Sequence, residues 1–176
     1  MLTARPASGT YVPYFLNYIS RVPEGAEPLD LLRQQPAELR ALIGNLSEEQ
    51  ALTSYAPGKW TIKQMLLHMI DTERIFAYRA LRIARGDQQP LPGFDENAYA
   101  EESGADGRTL ADLFEEYDAV RQASLTLFRS FSPDMLDRSG TASNNPLTVR
   151  ALLFVLPGHE AHHMHILRER YLPLLG

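Results

Sequence analysis

Apolar positions recur along most of this chain at steps of three and four, the spacing that lines one face of an α-helix. From Pro28 onward, Leu29, Leu32, Leu39, Leu42, Ile43 and Leu46 predict a first long helix. Pro36, inside that stretch, is expected to kink it or to begin a second segment. Ser47, followed by Glu48, Glu49 and Gln50, has the form of a capping box opening another turn. Tyr55 to Trp60, with Pro57 and Gly58, reads as a loop. A second helix is predicted from Thr61 to about Arg85, where Ile62, Met65, Leu66, Met69, Ile70, Phe76, Ala77, Ala80 and Leu81 make a broad apolar face and Gly86 supplies the stop. A third runs from its N-cap Thr109 to Phe131, with Leu113, Phe114, Tyr117, Val120, Leu125 and Phe128 inward. The fourth begins after Asn144-Asn145-Pro146 and continues to about Tyr171.

Between the second and third helices lies a long loop with Pro90, Pro92, Gly93, Gly104 and Gly107, and loops of that length are usually functional or packed covers. The N-terminal segment carries Pro6, Pro13 and Pro23 beside Tyr11, Tyr14, Phe15 and Tyr18. It is too aromatic for a disordered tail and is expected to pack as a short helix or extended strap. Alternating β-type runs are essentially missing. The expected architecture is all-α: residues 1–176 as one four-helix-bundle domain with an N-terminal strap and a long loop between helices two and three.

Composition narrows the chemistry. With no cysteine, disulfides, thiolate metal sites and a cysteine nucleophile are excluded. A net charge of -5 argues against a nucleic-acid surface, which needs a basic stripe. No apolar run approaches the roughly 20 residues needed to span a bilayer, and the first residues lack the apolar core of a signal peptide. A cytoplasmic protein acting on a small molecule, with no nucleic-acid or membrane partner, is the expectation.

The histidines are the most unusual feature. Of five, four fall at His159, His162, His163 and His165. The stripe Leu152, Val155, Leu156 of the fourth helix runs directly into His159 and His163, which stack one turn apart and present two imidazoles on one face. Such a pair also arises as a surface coincidence. His68 sits on the second helix in a stripe that mixes polar and apolar groups; alone it is as readily a satisfied core histidine as a ligand. His162 and His165 lie off the stripe, the first as a flank and the second outside. Asp71, Glu73 and Glu160 are candidate acceptors for imidazole N–H groups, or else partners of Arg74, Arg79 or Lys63 in ordinary ion pairs.

A family resemblance joins these segments. Ala56-Pro57-Gly58-Lys59-Trp60-Thr61-Ile62-Lys63-Gln64, leading to Leu67-His68-Met69-Ile70-Asp71-Thr72-Glu73-Arg74, resembles the signature of the DinB superfamily. Tyr78 to Asp87, Leu91 to Glu96 and the closing Gly158-His159-Glu160-Ala161-His162-His163 are similar to its YfiT-type branch, in the family's order over nearly the whole chain. The resemblance implies a four-helix bundle, frequently a homodimer, with a metal held by His68 together with His159 and His163. Three imidazoles suit zinc, with nickel, iron or copper as alternatives, and they leave coordination positions open.

For activity the resemblance implies less. Some relatives join low-molecular-weight thiols such as bacillithiol or mycothiol to electrophiles, one is a mycothiol-dependent isomerase, and others are called metal-dependent hydrolases. A metal-dependent thiol S-transferase is the first expectation here, a hydrolase of small amides or esters the second, and a non-catalytic metal-binding stress protein the third. Asp95, Tyr11 and Tyr14 are candidates to reach the open face of the metal, although loop capping and packing account for them as well. Trp60 is expected to be a packing anchor. Arg79 and Arg82 are candidates for an anionic cofactor group, or for a solvated face.

Overall fold

The computed structural model describes residues 3–175. Its helices in chain order are α1 (Leu16–Ile19), α2 (Pro28–Ile43), α3 (Ile62–Ala84), α4 (Glu96–Glu102), α5 (Leu110–Arg129), α6 (Pro133–Leu136) and α7 (Val149–Ile166), with a π-type turn over Leu167–Tyr171. The bundle is α2, α3, α5 and α7, the four helices expected. Side-chain caps that satisfy otherwise orphaned N–H groups set the starts of α3, α5 and α7, whereas α2 begins at Pro28 with no side-chain cap. Thr61 and Gln64 form a reciprocal capping box at α3, with both hydrogen bonds at 3.0 Å. Thr109 and Thr148 accept from Asp112 N–H and Ala151 N–H, each at 3.2 Å. Ser47 and Gln50 make the same reciprocal pair before a short 3-10 turn.

Helix α3 packs against α5 and α7, and α2 against the same two, so α2 and α3 face each other across a diagonal. The apolar interior falls into two clusters. One holds Leu32, Phe76, Leu125 and Phe154; the other holds Leu39, Leu66, Leu113, Tyr117 and Tyr171. Between them every bundle helix contributes buried polar groups: Gln35 from α2, Thr72 and Glu73 from α3, Arg121 and Ser124 from α5, and His159, Glu160 and His163 from α7. A polar layer thus crosses the bundle at mid-height.

Pro36 is accommodated within a continuous α2. Lacking an N–H, it leaves the Leu32 carbonyl without its usual helical donor, and Arg121 Nη1 donates to that oxygen at 2.8 Å. The proline is therefore part of the polar layer.

The all-α expectation holds except for one hairpin, β1 (Ser139–Ala142) and β2 (Asn145–Thr148), paired antiparallel. Its two-residue turn places Ser143 and Asn144 at φ 50 and 61, the left-handed turn that matches strand twist. The strands are too short, and β1 too poor in large apolar residues, to carry an alternating pattern. Leu91 of the long loop bonds to this hairpin: its N–H donates to Thr141 O at 2.9 Å, and its carbonyl accepts from Ser143 N–H at 3.0 Å. The N-terminal strap docks through Thr148 N–H to Thr10 O at 3.1 Å. It also runs close over α7: a Cβ at Gly158 would lie 2.1 Å from Tyr18 O, so only glycine permits the approach. No helix among the described residues is long and apolar enough to cross a membrane.

Candidate metal centre

His68 of α3 and the His159–His163 pair of α7 converge. Their Nε2 atoms face one another, His68 to His159 at 3.1 Å and His163 to His159 at 3.0 Å. A ligand atom from each of the three lies within 4.8 Å of the others, a grouping that comprises histidines alone. Two nitrogens each about 2.1 Å from one ion stand about 3.0 Å apart at a right angle and about 3.4 Å apart at a tetrahedral angle. The observed separations are those of neighbouring ligands. Three neutral imidazoles are also a suitable donor set for a divalent transition ion. Residues and metal fit.

The site is electrostatically prepared for such an ion. Burial, followed by the influence of the neighbouring imidazoles, holds His159 and His163 well below the ordinary histidine range. Burial lowers His68 to about 4, with His162 adding to the effect. All three are therefore neutral near pH 7, with lone pairs available.

Aromatic rings fix the imidazoles in place. Trp60 lies 4.6 Å from His68, and its carbonyl accepts from the Tyr171 hydroxyl at 2.7 Å. The expected packing anchor is thus also a wall of the site. Tyr18 of the strap sets its ring edge to His159 at 5.2 Å and to His162 at 5.5 Å. Tyr14 shares a hydrogen bond of 2.9 Å with the Tyr18 hydroxyl. Burial, then that bond, holds the Tyr18 phenol well above its ordinary range, so it stays protonated.

The carboxylates expected beside the imidazoles are engaged elsewhere. Glu73 receives Arg121 Nε at 3.0 Å and Nη2 at 2.8 Å. Glu160 receives Arg121 Nη2 and, at 2.6 Å, the Tyr117 hydroxyl. Asp71 lies 3.6 Å from Arg74, as the ion-pair alternative had it, and Lys63 pairs with Glu48 at 2.6 Å. In consequence Nδ1 of His163 and of His162 are buried with no hydrogen-bond partner among the described residues. Arg121 is the residue that the sequence analysis missed. Its signal was present, since Phe114, Tyr117, Arg121, Ser124 and Phe128 follow one stripe of α5.

A cavity of about 350 Å³ opens above the histidines. Tyr14, Tyr18 and His162 line it; Tyr11 instead packs on the core, and His165 is exposed. The expectation for Asp95 is corrected. Its side chain is exposed and caps α4, accepting from Asn97 N–H at 2.9 Å and Ala98 N–H at 3.1 Å. The carboxylate lining the cavity is the neighbouring Glu96. Arg82 pairs with Asp87 on the surface side, whereas Arg79 is buried and lines the cavity. Tyr18, Glu96, Ser143 and Asn145 join the lining without any local sequence signal.

Fold and site define a helical-bundle protein built around a three-histidine centre. The sequence profile of the DinB superfamily matches residues 31–167, and the chain belongs to that superfamily. A protein of Oceanobacillus iheyensis named "Putative metal-dependent hydrolase" is 23% identical over 69% of this chain and 70% of its own. One of the same name from Geobacillus thermodenitrificans is 24% identical over 85% and 87%. The solved structure of YfiT from Bacillus subtilis, described as "a probable metal-dependent hydrolase with an unusual four-helix bundle topology", superposes with a TM-score of 0.76. It is 17% identical, over 97% of this chain and 93% of that one, which establishes a shared fold.

Proposed function

We propose that this chain is a metal-dependent enzyme in which His68, His159 and His163 hold a divalent transition ion, zinc by default, that activates a nucleophile for a small-molecule reaction. The observation that carries this reading is the convergence of three neutral imidazole nitrogens at the floor of an open cavity. Such an ion supplies the positive charge that keeps a thiol deprotonated, or lowers the pKa of a water, near neutral pH. Around it the chain's own residues divide the remaining work. Trp60 and Tyr18 pin the imidazoles and exclude water from their faces. Tyr18, kept protonated, shares a hydrogen bond with the Tyr14 hydroxyl at the cavity wall. His162 is half-buried, lines the same cavity and is held below its ordinary range by burial, which makes it the nearby side chain available to accept a proton there.

Thiol transfer to an electrophile is the first form of this reading. The nearest buried carboxylates are tied to Arg121, and a thiol, with a pKa near 8.5, needs less help from a base than water does. The chain has no cysteine, so the thiol would come from a small molecule. Hydrolysis of a small amide or ester is the second form, favoured by the names of the relatives.

The test begins with metal analysis of protein purified without an affinity tag. Monochlorobimane conjugation with bacillithiol and mycothiol is then run beside ester and amide hydrolysis. Conjugation lost in His163→Ala supports transfer; hydrolysis lost in the same variant supports the second form. Wild-type protein that binds no added zinc or nickel overturns both.

A further inference from the structure

Among the described residues three cations are buried: Lys63 at 3% exposure, Arg121 at 3% and Arg79 at 5%. Lys63 has Glu48, and Arg121 has two carboxylates. Arg79 has no carboxylate within ion-pair distance among the described residues. Both of its hydrogen bonds leave from Nη2, to Pro92 O at 2.8 Å and, more weakly, to Ser143 Oγ at 3.3 Å. Its guanidinium carbon lies over the rings of Phe76 and Phe94, 5.7 and 5.9 Å from their centroids. Buried arginine without a counter-charge is rare, because desolvating the guanidinium costs several kcal/mol that a carbonyl and two rings offset only in part.

The side chain faces the same cavity as the histidines. Phe76 stands between the two, 6.2 Å from the His159 ring. His68, Thr72, Phe76 and Arg79 follow one face of α3, so one ligand can span from imidazole floor to guanidinium.

We propose that Arg79 is the anion-recognition residue of this site, and that the substrate or thiol cofactor is a small monocarboxylate whose opposite end reaches the three histidines. The inference deepens the proposed metal-dependent function and relies on it for the ligand's second anchor. A carboxylate matches the planar fork of a guanidinium. At the Arg79 end a phosphate monoester fits less well: it carries close to two charges, and among the described lining residues Arg79 is the one formally charged cationic side chain, with Glu96 lining the cavity too. The cavity, about 350 Å³ with Phe15, Phe76 and Phe94 in its walls, suits a ligand the size of an acylated amino acid.

The test uses calorimetry with hippurate and its uncharged amide, N-benzoylglycinamide, on zinc-loaded and zinc-free protein. Wild type is expected to bind hippurate about tenfold or more tightly than the amide in both forms. Arg79→Met loses the preference while binding zinc as wild type does. Its melting temperature holds or rises, because an uncompensated buried charge is replaced by an apolar side chain. His163→Ala loses zinc but keeps the preference in zinc-free protein, so failure of the metal reading and failure of this one are distinguishable. Equal binding of hippurate and amide by wild type overturns the proposal, as does a preference that survives in folded Arg79→Met or tighter binding of phenyl phosphate than of hippurate. If Arg79→Met does not fold, Arg79→Lys carries the test: an unchanged preference there overturns the role of the guanidinium fork.

Discussion

Two buried arginines, Arg121 against Glu73 of α3 and Arg79 further along the same helix, are treated in opposite ways. Arg121 lies in the mid-bundle layer with every side-chain nitrogen engaged: two carboxylates, a tyrosine acting through Glu160, and the carbonyl freed by Pro36. Arg79 lines the cavity with one nitrogen bonded to neutral oxygens. The histidines share the second condition, since two of their Nδ1 atoms are buried without a partner. Arg121 and its two carboxylates close on one another, although Gln35 Oε1 and Ser124 Oγ of the same layer have no partner among the described residues; Arg79 and the histidines are left incomplete toward an opening. The difference separates an ion-paired scaffold from a site whose buried cation faces an opening where a ligand can complete it.

The comparison is broken most severely at Arg121. Arg121→Met leaves Glu73 and Glu160 buried without a counter-charge, and about 3–5 kcal/mol of stability should be lost in urea denaturation. Replacing all three together with apolar residues should recover most of that loss. Recovery would show that the layer is a self-contained network.

Next in size is the strap. Gly158→Ala drives a methyl into Tyr18 O, and about 1–3 kcal/mol of destabilisation is expected as the strap is displaced. Near-ultraviolet circular dichroism should register altered tyrosine signals, with helix content retained. An unperturbed Tyr18 environment would count against the strap as a wall of the site.

Metal addition sharpens the other side of the contrast. Zinc at a hundredfold excess over its Kd should stabilise wild type by about 2.7 kcal/mol. Neither His159→Ala nor His163→Ala should show the increase in differential scanning fluorimetry, whereas His165→Ala should retain it.

The smallest effect is at Lys63, the third buried cation, whose partner Glu48 is largely exposed. The Glu48 carboxyl is held below its ordinary value by Lys63 and by the Leu110 N–H. Because the folded value is the lower one, its stabilising contribution is complete above about pH 4.5. It disappears as pH falls through the depressed folded value. Glu48→Gln should flatten the acid side of the stability profile slightly and leave the neutral side nearly unchanged.

The four bundle helices, the cap at Thr109 and the stop at Gly86 were legible in local residue order. So was the histidine pair on α7, because apolar period and capping chemistry act over a few residues. His68 needed the family resemblance to be joined to a pair 91 positions away. The hairpin escaped because its strands carry almost no periodic signal, and Asp95 takes the capping role that local sequence also offered, its bonds to the α4 N-terminus competing with any reach toward the site. Arg121 lay on a visible stripe, yet whether a cation there is satisfied depends on which helices face it. The sequence by itself determined the helices, the donor chemistry and the family. Only the tertiary structure decided that Glu73 and Glu160 belong to Arg121, that Tyr18 reaches the imidazoles and that Arg79 stays unpaired. Those outcomes depend on contacts between helices far apart in the chain, where burial removes water as the default partner and makes the identity of the neighbour decisive.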